Sequence, residues 1–383
     1  MGKGRPKKEK VDVVSFADGD EIVEITNTIE ITEDNIDDES SEIQEAVQQI
    51  IAPRRESNNI IEFCPTGSDL FDLIGGNGVP WGKMINIVGD NSTGKTLLAS
   101  EIIATAYKKY GKNLVWFYDD AEAGYSFDSK AIWGIDIVAE DSKCSETLED
   151  FQCTLDKMLD KLKSEQKFIY ILDSFDSLTT LEELDHVDKK NKAIEKGTKI
   201  PGSYGQSKSK GSSEFFRVMR RKLKDKNCLL IIVSQVRENI GVMFGAKYAR
   251  MGGKALDFYS AQIFWLAVAE KYDDGISVKI KNTKNKVGKP FRVTLVDIIF
   301  DYGVDNVSSN LNFLYDLKTP TGKNIDAIKT KKLMWDKREY TQKHLVRYIE
   351  KNNLEEELTK RTIQKWIENE DKINTSKDRK SKF

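Results

Sequence analysis

The chain is poor in the residue types that hold small secreted domains and zinc sites together. Its 383 residues include 4 cysteines and 2 histidines. The cysteines stand far apart, in no spacing typical of a metal site or a dense disulfide framework; they are Cys64, Cys144, Cys153 and Cys228. We therefore expect reduced thiols, and neither a disulfide framework nor a zinc site.

Long hydrophobic runs are also missing. No stretch approaches the roughly 18 uninterrupted apolar residues that a membrane-spanning helix needs. The basic start of the chain, residues 1–10, is not followed by the apolar segment of a secretory signal. The sequence therefore predicts a cytoplasmic protein that does not cross a membrane.

One segment lacks positive charge altogether. No Lys or Arg lies between Lys10 and Arg54, whereas acids recur there, and the net charge of the whole chain is -2. The rest of the chain is therefore basic. A basic body with an acidic arm favours a nucleic-acid partner, and the arm could modulate access to that partner.

The residue pattern changes three times along the chain. Residues 1–58 mix acids with Ile and Val, which predicts an acidic, largely disordered N-terminal arm. Over residues 59–303, short aliphatic runs alternate with helical periodicity, which is typical of an α/β domain built on a mostly parallel twisted sheet. Residues 304–372 predict a small α-rich C-terminal domain, and residues 373–383 a basic tail.

Four nearly continuous apolar runs predict strands that are covered by helices on both faces. The runs are residues 84–88, 114–118, 168–172 and 229–233. Each run is followed by polar residues: Gly89-Asp90, Asp119-Asp120, Asp173-Ser174 and Ser234-Gln235. Because ligands of open parallel sheets bind beyond the carboxyl ends of the strands, we expect these four endings to converge on one site.

A phosphate-binding motif follows the first of these runs. Residues 89–96 read GDNSTGKT and fit the pattern GxxxxGK[ST] between a strand and a helix. The candidate ATP-binding residues are Gly89, Asp90, Asn91, Ser92, Thr93, Gly94, Lys95 and Thr96. Backbone N–H groups of such a loop close around the phosphates, while Lys95 would reach the β- and γ-phosphates and Thr96 would offer its hydroxyl to Mg²⁺.

Three further polar residues complete the predicted ATPase site. Asp173 is expected to hold Mg²⁺ directly or through water. Glu122, which follows the second run, is expected to polarise an attacking water as a general base. Gln235 can hydrogen-bond the γ-phosphate and report its loss to the loop that follows. We therefore predict that Lys95, Asp173, Glu122 and Gln235 are catalytic, with ATP and Mg²⁺ as ligands.

Together these residues resemble the RecA family of DNA strand-exchange recombinases, and the resemblance extends well beyond the phosphate loop, from about Cys64 to Trp366. The similar segments are residues 66–74, 78–83, 120–122, 134–136, 234–245, 252–260 and 284–286. The most specific of them is the run SQVRENIGVMFG at residues 234–245, which is similar to the family's second DNA-binding loop.

The resemblance implies a RecA-like P-loop ATPase core over residues 59–303. It implies that Lys284 and Lys286 reach the ATP of a neighbouring protomer in a helical homo-oligomeric filament. Such a filament would form on single-stranded DNA and pair it with homologous duplex DNA. Loading or single-strand-binding proteins would be further partners.

Two loops are expected to contact DNA. The first is a long, lysine-rich polar stretch over residues 180–214, predicted to be disordered without DNA, and the second spans residues 237–254. The candidate contacts are Lys208 and Lys210 in the first loop, and Arg237, Met243, Phe244, Gly252 and Gly253 in the second. Cations neutralise phosphates, and an exposed apolar tip such as Met243-Phe244 can wedge between bases, where stacking contributes about 1–3 kcal/mol per base.

The sequence also departs from the family pattern. Ser129 stands near the place of the family's adenine-stacking tyrosine, so either Tyr125 or Phe127 substitutes or the adenine contact differs. The N-terminal helix that joins neighbouring protomers in the family is not recognisable, and the acidic arm occupies its place. The arm could gate DNA access or recruit another protein.

We therefore predict a DNA-dependent ATPase and homologous recombinase. One alternative is a RecA-like regulatory or mediator ATPase that binds DNA or a partner without exchanging strands, and the unrecognisable N-terminal helix favours it. Another alternative is a hexameric helicase or partner-remodelling motor, which would share the core ATPase residues.

Overall fold

The computed structural model describes residues 55–56, 59–139, 142–196, 207–238, 248–250, 253–318, 320 and 332–373. Most of the predicted N-terminal arm and almost all of the basic tail lie outside these residues. No helix in the described part of the chain has the length and apolar character needed to cross a membrane.

The strands and helices alternate over most of the chain. The strands are β1 Arg55–Glu56, β2 Asn59–Ile60, β3 Phe63–Cys64, β4 Val79–Pro80, β5 Met84–Gly89, β6 Leu114–Asp120, β7 Lys167–Asp173, β8 Cys228–Glu238, β9 Tyr248–Arg250, β10 Gln262–Lys271, β11 Gly275–Asn285, β12 Val293–Ile299, β13 Gly303–Asp305, β14 Leu333–Trp335 and β15 Arg338–Tyr340. The α-helices are α1 Asp69–Gly75, α2 Lys95–Tyr110, α3 Ser129–Trp133, α4 Leu148–Lys161, α5 Leu181–Glu195, α6 Ser207–Asp225, α7 Gly253–Tyr259, α8 Asn306–Leu314, α9 Gln342–Lys351 and α10 Glu355–Ile373. Short 3-10 helices span Gly111–Asn113 and Phe175–Ser177.

A nine-stranded sheet forms the centre of the fold. Its order is β13-β12-β11-β10-β5-β8-β7-β6, with β9 paired to β8. The five strands β10, β5, β8, β7 and β6 run parallel, and β11, β12 and β13 extend the sheet beyond β10 with antiparallel pairing. The predicted α/β class with a largely parallel central sheet is confirmed, whereas the antiparallel extension was not foreseen.

The register of the sheet brings the predicted strand endings to the same end of the sheet. Gly89 pairs with Gln235, and Asp120 pairs with Asp173. Because the strands are parallel and in step, their carboxyl ends are level, and the loops that follow them lie side by side.

Each face of the parallel strands is covered by its own hydrophobic layer. On one face α2 packs against the sheet through residues such as Leu98 and Ile102, which are fully buried. On the other face α4 and α6 supply Phe151 and Phe216. Full burial of one such aliphatic or aromatic side chain contributes about 1.5–3 kcal/mol, so the two layers hold the strand ends, and the loops after them, in place.

A third hydrophobic cluster is built from the late part of the chain. Trp335 and Leu345 lie fully buried in it, together with residues of α8 and α10. Two further helices lie in this part of the chain, α9, which begins after the N-cap Thr341, and α10. Asp69 at the start of α1 accepts hydrogen bonds from Asn310 and Thr359, at 2.6 and 2.7 Å, so this part is tied directly to the core.

The prediction of a long loop over residues 180–214 is wrong for its described part. Residues 181–195 form α5, and α6 begins at Ser207; residues 197–206 lie outside the described residues. The physical reason is a capping box: Thr180 accepts from the Glu183 N–H at 3.1 Å, and the Glu183 carboxylate accepts from the Thr180 N–H at 3.0 Å. This Thr-x-x-Glu signal is visible in the sequence and outweighs the general polarity of the segment.

Candidate functional site

The phosphate loop is shaped by two glycines for which no larger residue has room. A Cβ atom on Gly89 would lie 2.5 Å from the Thr93 Oγ1 atom, and one on Gly94 would lie 2.7 Å from the Ile298 Cδ1 atom. Gly94 also has a φ of 83°, in the left-handed region that glycine adopts without strain. The loop therefore curls tightly onto the N-terminus of α2, where free N–H groups favour an anion.

Lys95 closes over this loop. Its Nζ donates to the Asp90 carbonyl at 2.7 Å, and the same carbonyl accepts from Thr93 at 2.8 Å. The lysine is 8% exposed, and burial lowers the pKa of its ammonium group, while the carboxylates of Asp173 and Glu122 act in the opposite direction. A phosphate oxygen is a better partner for the ammonium group than a single carbonyl, so the side chain is placed to exchange one for the other.

Asp173 and Thr96 form the oxygen pair expected of a magnesium site. The Thr96 hydroxyl donates to the Asp173 Oδ2 atom at 2.7 Å, and the carboxylate is 5% exposed. Burial raises the pKa of Asp173, while the hydrogen bonds from Thr96 and Tyr118 oppose that rise. Hydroxyl and carboxylate oxygens are the hard ligands that Mg²⁺ prefers, so these residues and the glycine cradle beside them fit Mg²⁺-bound ATP.

Tyr118 is a member of the site that sequence reasoning missed. It is buried in β6, and its hydroxyl donates to the Asp173 Oδ2 atom at 2.6 Å. Two donors on one oxygen leave the other oxygen of the carboxylate available to a metal or its water. The available signal was a tyrosine hydroxyl in a largely apolar strand, next to the acidic strand ending.

Glu122 and Gln235 meet beside this pair. The Gln235 Nε2 atom donates to the Glu122 Oε1 atom at 2.7 Å, and the Ser174 hydroxyl donates to the same oxygen. The Gln235 N–H donates to Asp176 at 2.6 Å, which anchors the end of β8. The carboxylate expected to activate water and the amide expected to sense the γ-phosphate are therefore in direct contact. Ser174 belongs to a predicted strand ending but was given no role, and Asp176 was not predicted to take part.

Not every polar residue at the strand endings faces this site. Asp119 is fully buried and accepts from the N–H and the hydroxyl of Ser145, both at 2.7 Å, and from the Tyr170 hydroxyl. Asp120 instead accepts from the Tyr125 N–H at 2.9 Å, and so shapes the turn that carries Glu122. Successive strand residues point to opposite faces, so only one of the two acids could serve this turn.

Lys284 and Lys286 lie at the opposite end of the strands, near the amino ends of the parallel strands. Lys284 pairs with Ile263, and Ile263 pairs with Asn86, which precedes Gly89 by three residues. This places Lys284 about 10 Å back along the strand direction and two strand spacings, again about 10 Å, to the side of Gly89. Neither lysine can reach the phosphate loop of its own chain.

The two lysines bind the last turn of α7. Lys284 donates to the carbonyls of Asp257 and Phe258, the latter at 3.1 Å, and Lys286 donates to the Phe258 carbonyl at 3.0 Å. Burial, with help from the neighbouring Lys286 ammonium group, lowers the pKa of Lys284 to about 8. Two cations therefore share one helix terminus, where the carbonyl groups carry partial negative charge.

Comparison with known proteins agrees with this arrangement. Residues 41–305, more than half of the chain, match the family described as the RecA N-terminal domain. The chain belongs to the RecA family. It is similar to the mitochondrial DNA repair protein recA homolog of Dictyostelium discoideum, with 31% identity over 263 residues that cover 65% of this chain and 52% of the relative. It therefore spans about half the length of that protein.

Bacterial relatives are similar to the same extent. The Protein RecA of Synechocystis sp. and that of Chlamydia muridarum are each 30% identical to this chain over 263 residues, which cover 66% of the chain and 68% of each relative. The predicted membership of the RecA family is confirmed.

The predicted DNA contacts of this RecA-family chain are only partly within the described residues. Met243, Phe244 and Gly252 lie outside them, as does the side chain of Arg237, although its backbone pairs with Ala249 of β9. Gly253 begins α7. These assignments stay predictions.

The two lysines predicted for the first loop of this RecA-family chain differ from each other. Lys208 donates to the carbonyls of Asp176 and Leu178, at 3.3 and 2.6 Å, and its ammonium group lies 4.8 Å from the centre of the Phe175 ring. Lys210, one half-turn later on α6, is exposed. Lys208 therefore braces the segment after Asp173, whereas Lys210 faces solvent.

The candidates for the adenine contact also separate. Ser129 is buried, and its hydroxyl accepts from the Ile137 N–H at 3.1 Å. Tyr125 packs against Tyr118, with ring centres 5.0 Å apart, and its hydroxyl lies 3.2 Å from that of Ser100. Phe127 is exposed, so of the two proposed substitutes it is the one with a free ring surface.

Proposed function

We propose that this chain is a DNA-dependent ATPase and homologous recombinase. It forms a helical filament on single-stranded DNA with ATP between protomers, and it promotes pairing and strand exchange with homologous duplex DNA. In this proposal residues 59–303 form the ATPase core and residues 304–372 a small C-terminal domain. Residues 1–58 and 373–383 are an arm and a tail, and the protein works in the cytoplasm.

The position of Lys284 and Lys286 carries the proposal. Both lie at the amino ends of the parallel strands, whereas Lys95, Thr96 and Asp173 lie at the carboxyl ends. A head-to-tail assembly brings Lys284 and Lys286 of one protomer to the phosphate loop of the next. Such a heterologous contact repeats into a filament if it does not close into a ring. The complete ATP site then belongs to two protomers.

Within this site the residues of the chain have distinct tasks. The N–H groups at the start of α2 and the Lys95 ammonium group bind the phosphates, while Thr96 and Asp173 would hold Mg²⁺. When bound, Mg²⁺ neutralises negative charge that develops on the phosphate oxygens. Glu122 orients a water toward the γ-phosphorus and accepts its proton at a carboxylate oxygen, while the leaving oxygen of ADP departs with the electron pair of the broken P–O bond.

The bond between Glu122 and Gln235 supports a link between ATP and DNA. Gln235 lies near the end of β8, four residues before the part of the second loop outside the described residues. If the Gln235 amide leaves Glu122 for a γ-phosphate oxygen, the carboxylate becomes free to act on water, and the start of the loop moves with the amide. Hydrolysis reverses the exchange and favours release of DNA.

A regulatory or mediator ATPase is the second candidate. The acidic segment that stands where the family has its N-terminal joining helix favours it, because a chain without that contact would assemble weakly. Such a protein would bind DNA or a partner through the same loops but would not exchange strands.

One experiment tests the proposal against this candidate and against a motor. ATP hydrolysis is measured with and without single-stranded DNA, and the same samples are imaged by electron microscopy. The recombinase predicts strong stimulation by DNA together with filaments, followed by strand exchange with homologous duplex DNA. DNA-independent turnover by monomers or rings would refute it.

A further inference from the structure

The carbonyl groups that hold Lys284 and Lys286 belong to a short helix whose own position is set by one ion pair. Asp257, in the last turn of α7, is bound by the Arg250 guanidinium. The Arg250 side chain is 5% exposed, whereas Asp257 is 65% exposed. A buried guanidinium is costly to leave without its carboxylate, so α7 and β9 are expected to move as one piece.

Arg250 also reaches into the centre of the parallel sheet. It donates to the side-chain oxygen of Asn86, a fully buried residue of β5. The Asn86 amide in turn donates to the Ile232 carbonyl at 2.8 Å and to the Ser234 hydroxyl at 2.9 Å. Ser234 immediately precedes Gln235, and Val236 after it pairs with Arg250 across β8 and β9.

These contacts form an unbroken polar chain. It starts at Ser234, beside the predicted γ-phosphate sensor, passes through Asn86, Arg250 and Asp257, and ends at the two lysines held by the helix terminus. All of its members other than Asp257 and the lysines are buried. Buried polar groups that are fully satisfied specify one arrangement, so displacement of one member displaces the next.

We infer that Arg250 and Asp257 are positioning residues: they tie the interface lysines to strand β8 and so make the reach of Lys284 and Lys286 depend on the state of the chain's own ATP site. The inference rests on the proposed function, in which these lysines act on the ATP of the neighbouring protomer. With the pair intact, binding of ATP in one protomer adjusts the lysines that complete the next site. ATP hydrolysis is then cooperative along the filament.

Asp257→Ala tests the tie without relying on catalysis. The groups that face Lys284 are Asp257, Lys286 and Arg250. If Asp257 acts only as a nearby negative charge, its loss lowers the pKa of Lys284 further. If it holds α7 under the lysines, its loss releases Lys284 into water, away from Lys286, and its pKa rises toward the ordinary lysine value. The pKa is measured from the pH dependence of amine acetylation at Lys284 in the full-length protein, followed by mass spectrometry.

A rise in the pKa of Lys284 in Asp257→Ala supports the inference, and a fall or an unchanged pKa overturns it. The control is Asp160→Ala, which removes a carboxylate of similar exposure, 63%, that is bound to Lys222 and is not a member of the polar chain. This control should leave the pKa of Lys284 unchanged. Loss of Asp257 leaves the buried Arg250 guanidinium without its carboxylate, so Asp257→Ala is expected to melt at a lower temperature than Asp160→Ala. The pKa is therefore measured well below both melting temperatures, where circular dichroism verifies that each variant is folded.

The ATP dependence of hydrolysis gives the second reading. With single-stranded DNA present, Asp257→Ala should lower the Hill coefficient for ATP toward one, while ATP binding remains and Asp160→Ala stays like the wild type. A Hill coefficient equal to that of the wild type would overturn the inference.

Failure of the proposed function looks different. In that case Lys284→Ala would hydrolyse ATP as the wild type does, whatever the pKa of Lys284 in Asp257→Ala. The pKa reading therefore judges the tie itself, and the Lys284→Ala rate judges the role of the lysine in a neighbouring site.

Discussion

The two ends of the parallel strands bring charge to ATP in different ways. At the carboxyl ends of the parallel strands, the phosphate loop, Thr96 and Asp173 are fixed by glycine geometry and by short hydrogen bonds. At the amino ends, Lys284 and Lys286 donate hydrogen bonds to two carbonyls of α7, and burial beside Lys286 lowers the pKa of Lys284 to about 8. The two lysines donate to neutral carbonyl groups, and a phosphate oxygen is a stronger acceptor for an ammonium group.

The largest effect on ATP hydrolysis is expected at the phosphate loop. Lys95→Ala removes the cation that faces the phosphates and should lower ATP turnover by about 100-fold or more. Nucleotide binding should weaken at the same time, which can be measured with a fluorescent ATP analogue. Turnover equal to the wild type in a folded Lys95→Ala protein would show that the site lies elsewhere.

Glu122→Gln should separate binding from chemistry. The amide keeps the size of the side chain but cannot accept a proton, so hydrolysis should fall by about 100-fold or more. ATP binding and filaments should persist, because the loop and Lys95 are untouched. Single-turnover hydrolysis and electron microscopy check both halves of this expectation, and a variant that fails to bind ATP would argue against the base role.

At the amino ends of the parallel strands, the double change Lys284→Ala and Lys286→Ala should lower DNA-stimulated hydrolysis by about tenfold to 100-fold. Binding of ATP by the isolated protomer should be unchanged, since neither lysine reaches its own phosphate loop. The matched control is Lys281→Ala, on the same strand. Loss of ATP binding by protomers of the double variant would mean that the lysines act within one chain.

Tyr118→Phe should give a smaller effect and shift its pH dependence. Loss of one second-layer hydrogen bond to Asp173 should lower kcat by about tenfold. Burial already raises the pKa of Asp173, and the bond from Tyr118 opposes that rise, so the variant should have a still higher pKa at Asp173. A metal-holding carboxylate is active when ionised, so the acidic limb of the rate profile should move to higher pH. A limb at the wild-type position would exclude this role for Tyr118.

The site at the carboxyl ends of the parallel strands was predictable from sequence, because each of its parts is local. The motif at residues 89–96, the apolar strands and their polar endings each appear within a few consecutive residues. Parallel pairing then brings Glu122, Asp173 and Gln235 together without further information. Tyr118 and the role of Ser174 were missed, because both depend on which face of the strand each side chain takes.

The surroundings of Lys284 and Lys286 were less predictable from the sequence. The resemblance to the RecA family pointed to Lys284 and Lys286, but their distance from the phosphate loop depends on the antiparallel strand β11 lying two strands away from β5. The link from Arg250 to Asp257 likewise joins a strand and a helix through side chains alone. Helix α5 shows the opposite failure, since its Thr180–Glu183 capping box was local but composition was given more weight.

The most direct test of a site shared between protomers is to mix two variants that each hydrolyse ATP slowly. Lys95→Ala protomers keep Lys284 and Lys286, and the double lysine variant keeps Lys95, so a mixed filament contains some complete sites. With random assembly of equal amounts, about a quarter of the sites join an intact phosphate loop to intact lysines. We predict that ATP hydrolysis on single-stranded DNA rises on mixing, up to about this fraction of the wild-type rate; a mixture no more active than the two variants kept apart would contradict the shared site.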